Sequence, residues 1–365
     1  MPWTFRQPTE RSWQVGHRFS GSPADTARRL RRGGLSRDVC AIHRCAVGLA
    51  CDDNKDPFFE GAFAAPDLVI ASNFPCMSEA KSFLYVVDRY KCPSFFMDAP
   101  INTWGKDLPE HAVKYYVRQL EGVIGFLEEH GYKLDWQRLK DEVAFTKALY
   151  TVLDEIEVYK KAVPSPMRAF DSFIAATAPL ALPQSLRKLE IFERLRDELK
   201  EKVERGIGVV EEEKARLLWI GVPPVCDFGL LNYTEQRGAV VVKNMLEFLT
   251  GFSCAPELLD PDKPLESIAR SVLSSPANPT YGTAIDYLVQ ATKDYKIDGA
   301  VSVVKRSCGL IPGMQRLTKE AIFRETGVPS IVFDLDGVDE REYDEAATKA
   351  NLDSFVETLL ARKGA

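Results

Sequence analysis

The sequence predicts an α/β protein: two doubly wound parallel-sheet domains with a helical insert between them. Three observations carry that expectation. A strand, a cysteine-bearing loop, a helix and a second strand follow one another in Lys296–Arg341, and the same order occurs in Pro66–Pro100. Between the two, over about 109–213, apolar residues recur at helical spacing. A further series of alternating β and α segments starts at Arg216, and such alternation builds parallel sheets covered by helices. The expected divisions are an irregular basic extension over 1–36, a first α/β domain over 37–108, the helical segment over 109–213 and a second α/β domain over 214–365.

In chain order, residues 1–36 are Arg-rich with few aliphatics and no sustained period, so no element is predicted there. Asp38 is a cap-type residue, and the run after it reads as a helix with Cys40 in its first turn. Pro66–Cys76 reads as a short buried strand running into a polar turn, Met77–Arg89 as a helix, and Cys92–Pro100 as a strand with its exit loop. In the insert, Val113, Val117, Leu120, Ile124 and Leu127 share one helix face, and Leu149, Leu153 and Ile156 another. Pro164, Pro166, Pro179 and Pro183 divide this stretch, and the charged run Glu193–Glu204 reads as solvated surface. The insert is either plain scaffold or a cover over a pocket.

Arg216–Pro224 reads as a strand ending in a Gly-Pro loop, Leu230–Arg237 as a helix and Gly238–Val242 as a strand. Pro276–Gly282 is a loop carrying Asn278 and Tyr281, and Ala284–Tyr295 a helix. Asp298–Lys305 alternates apolar residues and is rich in Val, as a buried strand is. The helix from about Met314 to Arg324 is stopped by Gly327 and Pro329. Ser330–Phe333 is a strand running into the acidic loop Asp334–Asp339, and Ala346–Leu360 is the closing helix.

Composition sets outer bounds. The 365 residues are 45% hydrophobic and 27% charged, which fits a globular chain of two or three domains. A net charge of −6 and the lack of a basic stripe with interleaved aromatics argue against a nucleic-acid surface. No apolar run approaches the roughly 20 residues that cross a bilayer, and the start has no signal-peptide apolar core, so a cytoplasmic protein without membrane partners is expected. Eight cysteines in such a chain point to free thiols or metal ligands rather than disulfides. Neither G-x-x-x-x-G-K-[ST] nor G-x-G-x-x-G opens a helix, which disfavours an ordinary nucleotide-binding protein.

Cys40, Cys76 and Cys308 occupy one kind of place, the loop or first turn where a helix starts beside a sheet. Parallel sheets put functional loops at the carboxyl ends of their strands, and a helix N-terminus stabilises a thiolate. None of the three belongs to a C-x-x-C pair, so spacing leaves two readings open. They are a three-cysteine metal or cluster site, or small buried residues at tight helix–sheet contacts.

The run Val39–Gly48 resembles the first cluster motif of the 2-hydroxyacyl-CoA dehydratase / benzoyl-CoA reductase family. Asp67–Cys76 is similar to the second motif of that family, with Pro93–Pro100 as the strand that follows. Asp298–Cys308, Gly327–Pro329 and Phe333–Arg341 resemble its carboxyl-terminal signature, and Glu235–Val241 its acidic-then-Gly-Ala-Val pattern. The likeness spans about Asp38 to Thr358.

The resemblance implies an enzyme subunit that removes water from a 2-hydroxyacyl-CoA to give a 2-enoyl-CoA through a ketyl radical. It implies a [4Fe–4S] cluster on Cys40, Cys76 and Cys308, with one iron left open, which would make 37–108 a cluster-binding domain. It also implies a related second subunit in a heterodimer, an ATP-dependent iron–sulfur activator that delivers a low-potential electron, and an acyl-CoA thioester substrate. A benzoyl-CoA reductase-type subunit reducing an aromatic acyl-CoA is the second reading. A non-catalytic electron-relay or cluster-scaffold partner is the third. Family members carry an ordered segment before the first cysteine, which residues 1–36 do not resemble, so a shortened first domain or a misassigned start is expected.

Around this set, Cys45 lies near Cys40 but on a different face in one reading of the helix, and Cys51, Cys92, Cys226 and Cys254 read as structural. His43 is placed to hydrogen-bond a sulfide or the thioester, or simply to be satisfied in the interior. Glu60 and Glu79 are the carboxylates nearest the cluster loops and the candidate proton acceptors. Asp334, Asp336 and Asp339 fit a family signature and carry no metal-ligand expectation.

Overall fold

A computed structural model describes residues 3–5, 36, 39–51, 65–76, 78–182, 184–224, 226–247, 255–276, 278, 281–305, 307–308, 311–336, 338 and 342–364. Asp38, Glu60, Pro183, Cys254 and Asp339, all singled out in the sequence, lie outside the described residues.

Two sheets and their helices make up the α/β architecture. The first sheet has the order β1-β2-β3, from Trp3–Phe5, Leu68–Ser72 and Ser94–Met97. β2 and β3 run parallel with Ile70 opposite Phe95, while β1 pairs antiparallel with β2 in a stretch that reads as irregular in the sequence. The connection between β2 and β3 is helix α2 (Ser78–Tyr90), preceded in the chain by α1 (Ala41–Cys51). Alternation along β3 sends Phe96 to the α2 side, where it packs with Phe83, Val86 and Val87. Phe95 points the other way, onto α3 (Glu110–Glu129), where its ring lies against Gly122; a Cβ there would stand 2.8 Å from the ring.

The insert is helical, as its periodicity predicts: after α3 come α4 (Trp136–Lys160), α5 (Ala169–Ala181) and α6 (Leu186–Glu204). Leu149, Leu153 and Ile156 form one buried row on α4, packed against Phe192 and Leu199 of α6. Pro164 and Pro166 separate α4 from α5, but Pro179 lies inside the last turn of α5 rather than at a break. The Lys188 ammonium donates to the carbonyl oxygens of Pro179 and Leu182 and satisfies that helix end instead.

The second sheet is fully parallel, in the order β5-β4-β6-β7: Ala239–Asn244, Ala215–Ile220, Gly299–Val304 and Ser330–Asp334. Every residue of β4 and β5 is buried, because helices cover both faces. On one face Leu217, Trp219, Val241, Val301 and Val303 pack against Leu352, Val356 and Leu359 of α10 (Glu345–Gly364). On the other, Leu218, Val240 and Ala300 meet Leu288 of α8 (Tyr281–Asp294) and Ile322 of α9 (Ile311–Thr326). At about 1.5–3 kcal/mol for each large apolar side chain buried, this double cover is the main source of stability.

Two features differ from the sequence reading. The segment expected as a helix over Leu230–Arg237 forms two 3₁₀ turns, Phe228–Leu231 and Tyr233–Arg237. Asn232, at their junction, accepts the Phe170 N–H on its side-chain oxygen at 3.0 Å, and this tie breaks one helix into two tight turns. A helix not expected from the sequence, α7 (Pro264–Ser274), packs Ala269 and Leu273 against Val113 and Tyr116 of α3. The same cluster includes Phe74, Met97 and Ala99 from the strand exits of the first sheet.

Buried charge joins the insert to the second sheet. Lys160 and Glu157 of α4 meet Lys243 of β5 and Glu247, with Lys160 Nζ 2.7 Å from Glu157 and 2.8 Å from Glu247. Lys243 pairs with both carboxylates. Burial alone would raise the Glu157 carboxyl, but the two ammonium groups hold it down at about 2.

Candidate functional site

The strand order 5-4-6-7 reverses direction between β4 and β6, and ligands of open α/β sheets bind at the carboxyl ends of strands beside such a reversal. Gly221 leaves β4 there with φ +109°, and a Cβ on it would stand 2.5 Å from the Val303 carbonyl oxygen of β6. Only glycine fits so close a backbone approach.

The chain beyond β6 carries Lys305, Ser307 and Cys308, and the Cys308 N–H closes a turn onto the Lys305 carbonyl at 2.8 Å. Cys308 is half-buried just before α9. Cys76 is also half-buried; it follows the exit loop of β2, and its carbonyl accepts the Glu79 N–H at the start of α2. Cys40 is buried and precedes α1, where its carbonyl accepts the Arg44 N–H at 2.9 Å. It therefore occupies the cap position rather than the first turn expected from sequence.

Side-chain contacts draw these separated segments together around the start of α1. The Ala41 N–H, next to Cys40, donates to Ser307 Oγ, next to Cys308, at 3.3 Å. Ser307 Oγ donates to Asp336 Oδ2 at 2.8 Å, and the other oxygen of Asp336 accepts the Val338 N–H at 3.1 Å. Arg44, buried on α1, reaches within 3.8 Å of the same Asp336 carboxylate. From the third segment, Cys76 Sγ lies 3.6 Å from His43 Nε2. Asp336 is thus the latch that fixes the β6 and β7 exits against α1.

The electrostatics record the same convergence. Burial pushes the Cys76 thiol up; the Ser78 N–H opposes this, and the charges of Cys40 and Cys308 push it further up. Cys76 thus lies within electrostatic reach of both Cys40 and Cys308. Burial, reinforced by the Lys305 charge, pushes His43 down to about 4, so near neutral pH it is an uncharged hydrogen-bonding neighbour of Cys76. Burial also raises the Glu79 carboxyl, three residues beyond Cys76.

Among the described residues no three Cys, His, Asp or Glu side chains stand close enough to grip one metal ion. A four-iron cube holds its thiolates further apart than a single ion does. Three free thiols on segments that meet at the start of α1, with the buried Lys305 heading the Cys308 loop, form a donor set that fits such a group.

Of the other cysteines, Cys45 packs with Ala41 and Val338 in a small apolar cluster, Cys92 is half-exposed near Phe83, and Cys226 is exposed. The side chain of Cys51 is not described. A hollow of about 370 Å³ lined by Arg187, Glu190, Ile191 and Arg194 runs along one face of α6; it is a surface groove away from the thiols. No helix among the described residues is long and apolar enough to cross a membrane.

Fold and site together define an α/β protein whose thiols gather where helices start beside its sheets. The chain belongs to the family described as 2-hydroxyglutaryl-CoA dehydratase, D-component, whose profile matches residues 18–359. It is 27% identical to a benzoyl-CoA reductase subunit of Thauera aromatica over 341 residues, which cover 90% of this chain and 78% of that one. It is 24% identical to the (R)-phenyllactyl-CoA dehydratase alpha subunit of Clostridium sporogenes, over 91% of this chain and 79% of the relative. It is 28% identical to the alpha subunit of lactoyl-CoA dehydratase of Anaerotignum propionicum, over 82% of this chain and 71% of the relative.

Proposed function

We propose that this chain is one subunit of an iron–sulfur 2-hydroxyacyl-CoA dehydratase, a lyase that converts a 2-hydroxyacyl-CoA to a 2-enoyl-CoA by a ketyl-radical route. Family membership and the dehydratase names of its relatives support the reaction class. The observation that carries the site is the convergence of three distant segments on the start of α1: Ala41, next to Cys40, bonds Ser307, next to Cys308, and Cys76 Sγ lies 3.6 Å from His43.

On this reading Cys40, Cys76 and Cys308 hold a [4Fe–4S] cluster. When bound, the cluster supplies one-electron chemistry and one iron open to a small ligand or substrate. The chain's own residues fix where this happens. Asp336 and Ser307 hold the Cys308 turn against the Cys40 helix start, and neutral His43 supports Cys76 without adding charge. The thioester needs help because the β-proton lost with the hydroxyl is barely acidic. An electron added to the thioester makes that proton acidic and is released when the product forms. The electron comes from an ATP-dependent iron–sulfur activator, and the catalytic unit is completed by a related second subunit in the cytoplasm.

A second reading has its own support, since one of the relatives is a benzoyl-CoA reductase subunit. It keeps the same cysteines and changes the acyl group to an aromatic one.

The test is iron and acid-labile sulfide per chain, with EPR, on protein purified without oxygen. About four irons per chain, as one such cluster requires, is the expected result. Cys40→Ala, Cys76→Ala and Cys308→Ala should each lose most of that iron, and Cys226→Ala should keep it. Unchanged iron in all three single variants would sink the ligand assignment. Turnover of 2-hydroxyacyl-CoA against benzoyl-CoA, with activator and second subunit present, separates the two readings.

A further inference from the structure

Four lysines are buried among the described residues, and three of them are answered. Lys160 and Lys243 sit against Glu157 and Glu247, two cations on two carboxylates. Lys188 donates to the Pro179 and Leu182 carbonyls and to Gln184. Lys305 is 2% exposed, and its Nζ has no hydrogen-bond partner among the described residues. A buried cation without a partner is expensive, and such violations concentrate where a ligand supplies what is missing.

The place of Lys305 says which ligand. It is the first residue past β6, at the strand reversal, and its carbonyl anchors the turn that carries Cys308. Its positive charge acts on His43, whose ring touches Cys76. Lys305 thus heads the loop that brings Cys308 against the helix start beside Cys40. Three thiolates outweigh the positive charge of a cluster core, so the loaded site is anionic, and each electron taken up adds one more negative charge.

We propose that Lys305 is the charge-balancing residue of the three-thiol site, a positioning residue that stabilises the bound cluster and favours its reduced state. The inference rests on the cluster reading proposed above. A fixed cation in a low-dielectric site stabilises the more negative redox state, which raises the potential at which the activator's electron is accepted.

The experiment compares the wild type with Lys305→Met, similar in length and uncharged, and Lys305→Arg, which keeps the charge. Each is assembled with the partner subunit, purified without oxygen and titrated by EPR. The Met variant should keep its iron while its reduction equilibrium falls at least tenfold, about 59 mV for a one-electron couple. The Arg variant should stay within threefold of the wild type. Loss of iron in the Met variant alone, with normal iron in the Arg variant, also supports the assignment. In iron-free chains the order reverses: the Met variant should melt above the wild type, because it no longer buries an unanswered charge. A wild-type potential at full iron in the Met variant, or an iron-free Met variant that melts no higher than wild type, overturns the role of Lys305 alone. A wild-type protein that binds no iron overturns the cluster reading itself, and this inference with it.

Discussion

The two sheets are held together in different ways. In the second, all residues of β4 and β5 are buried between two helical layers, and the charges inside are balanced in pairs. In the first, every residue of β3 is only half-buried, and side-chain hydrogen bonds do more of the holding. Asn73, just past β2, donates to Asp98 and accepts the Ala99 N–H at 2.7 Å, while Asp98 also takes the Tyr115 hydroxyl of α3 at 2.9 Å. The second sheet is a scaffold whose stability comes mainly from apolar burial. The first is a smaller sheet with a buried central strand, whose β3 side is held by these bonds, and the proposed site lies where its exit loop meets those of the second.

If so, damage to the second sheet should unfold the whole protein, and damage to the first should release the site locally. The largest effect is expected from Lys243→Met, which leaves Glu157 and Glu247 with one buried cation between them. It should cost about 3–5 kcal/mol, read as a denaturant midpoint that falls equally by circular dichroism and tryptophan fluorescence. Gly221→Ala comes next at about 3 kcal/mol, because a Cβ there meets the Val303 carbonyl at positive φ. A melting temperature within a degree of wild type would show that the approach of β4 to β6 is looser than described.

Asn73→Ala should cost about 1–3 kcal/mol and show the contrast most directly. Amide exchange around Ala99 should speed up while exchange in β4 and β5 stays slow; a uniform change would merge the two regions into one cooperative unit. Acid separates them in another way. The Glu157 carboxyl is depressed from 4.5 to about 2, so the stability it adds is complete above pH 4.5 and is lost as pH falls toward 2. Glu157→Gln, already destabilised at neutral pH, should lack that acid-dependent part of the loss. The smallest effect, under about 1 kcal/mol, is expected for Arg270→Ala, which removes a partly exposed pair between α7 and Glu110 of α3.

Periodicity was enough for the elements that bury one clear face or lie wholly inside. The Val-rich strand at Gly299–Val304, the helical insert and the closing helix all appear where the pattern puts them. It failed where a tertiary contact overrode the pattern, as at Asn232, or where a short amphipathic run such as Pro264–Ser274 gave too little signal. The cysteine set came from resemblance, since C-x-x-C spacing is absent and the three residues fall in three distant segments.

What the sequence determined by itself was the α/β class, the place of its parallel strands and the family, because those depend on local periods and short motifs. Tertiary structure decided what those motifs face. Ala41 and Ser307 are 266 residues apart and share a hydrogen bond, Asp336 turns from an acidic loop residue into the latch between them, and the Lys305 ammonium has no hydrogen-bond partner among the described residues. Charge and hydrogen-bond balance belong to an enclosure, and an enclosure exists only after distant segments have closed around it.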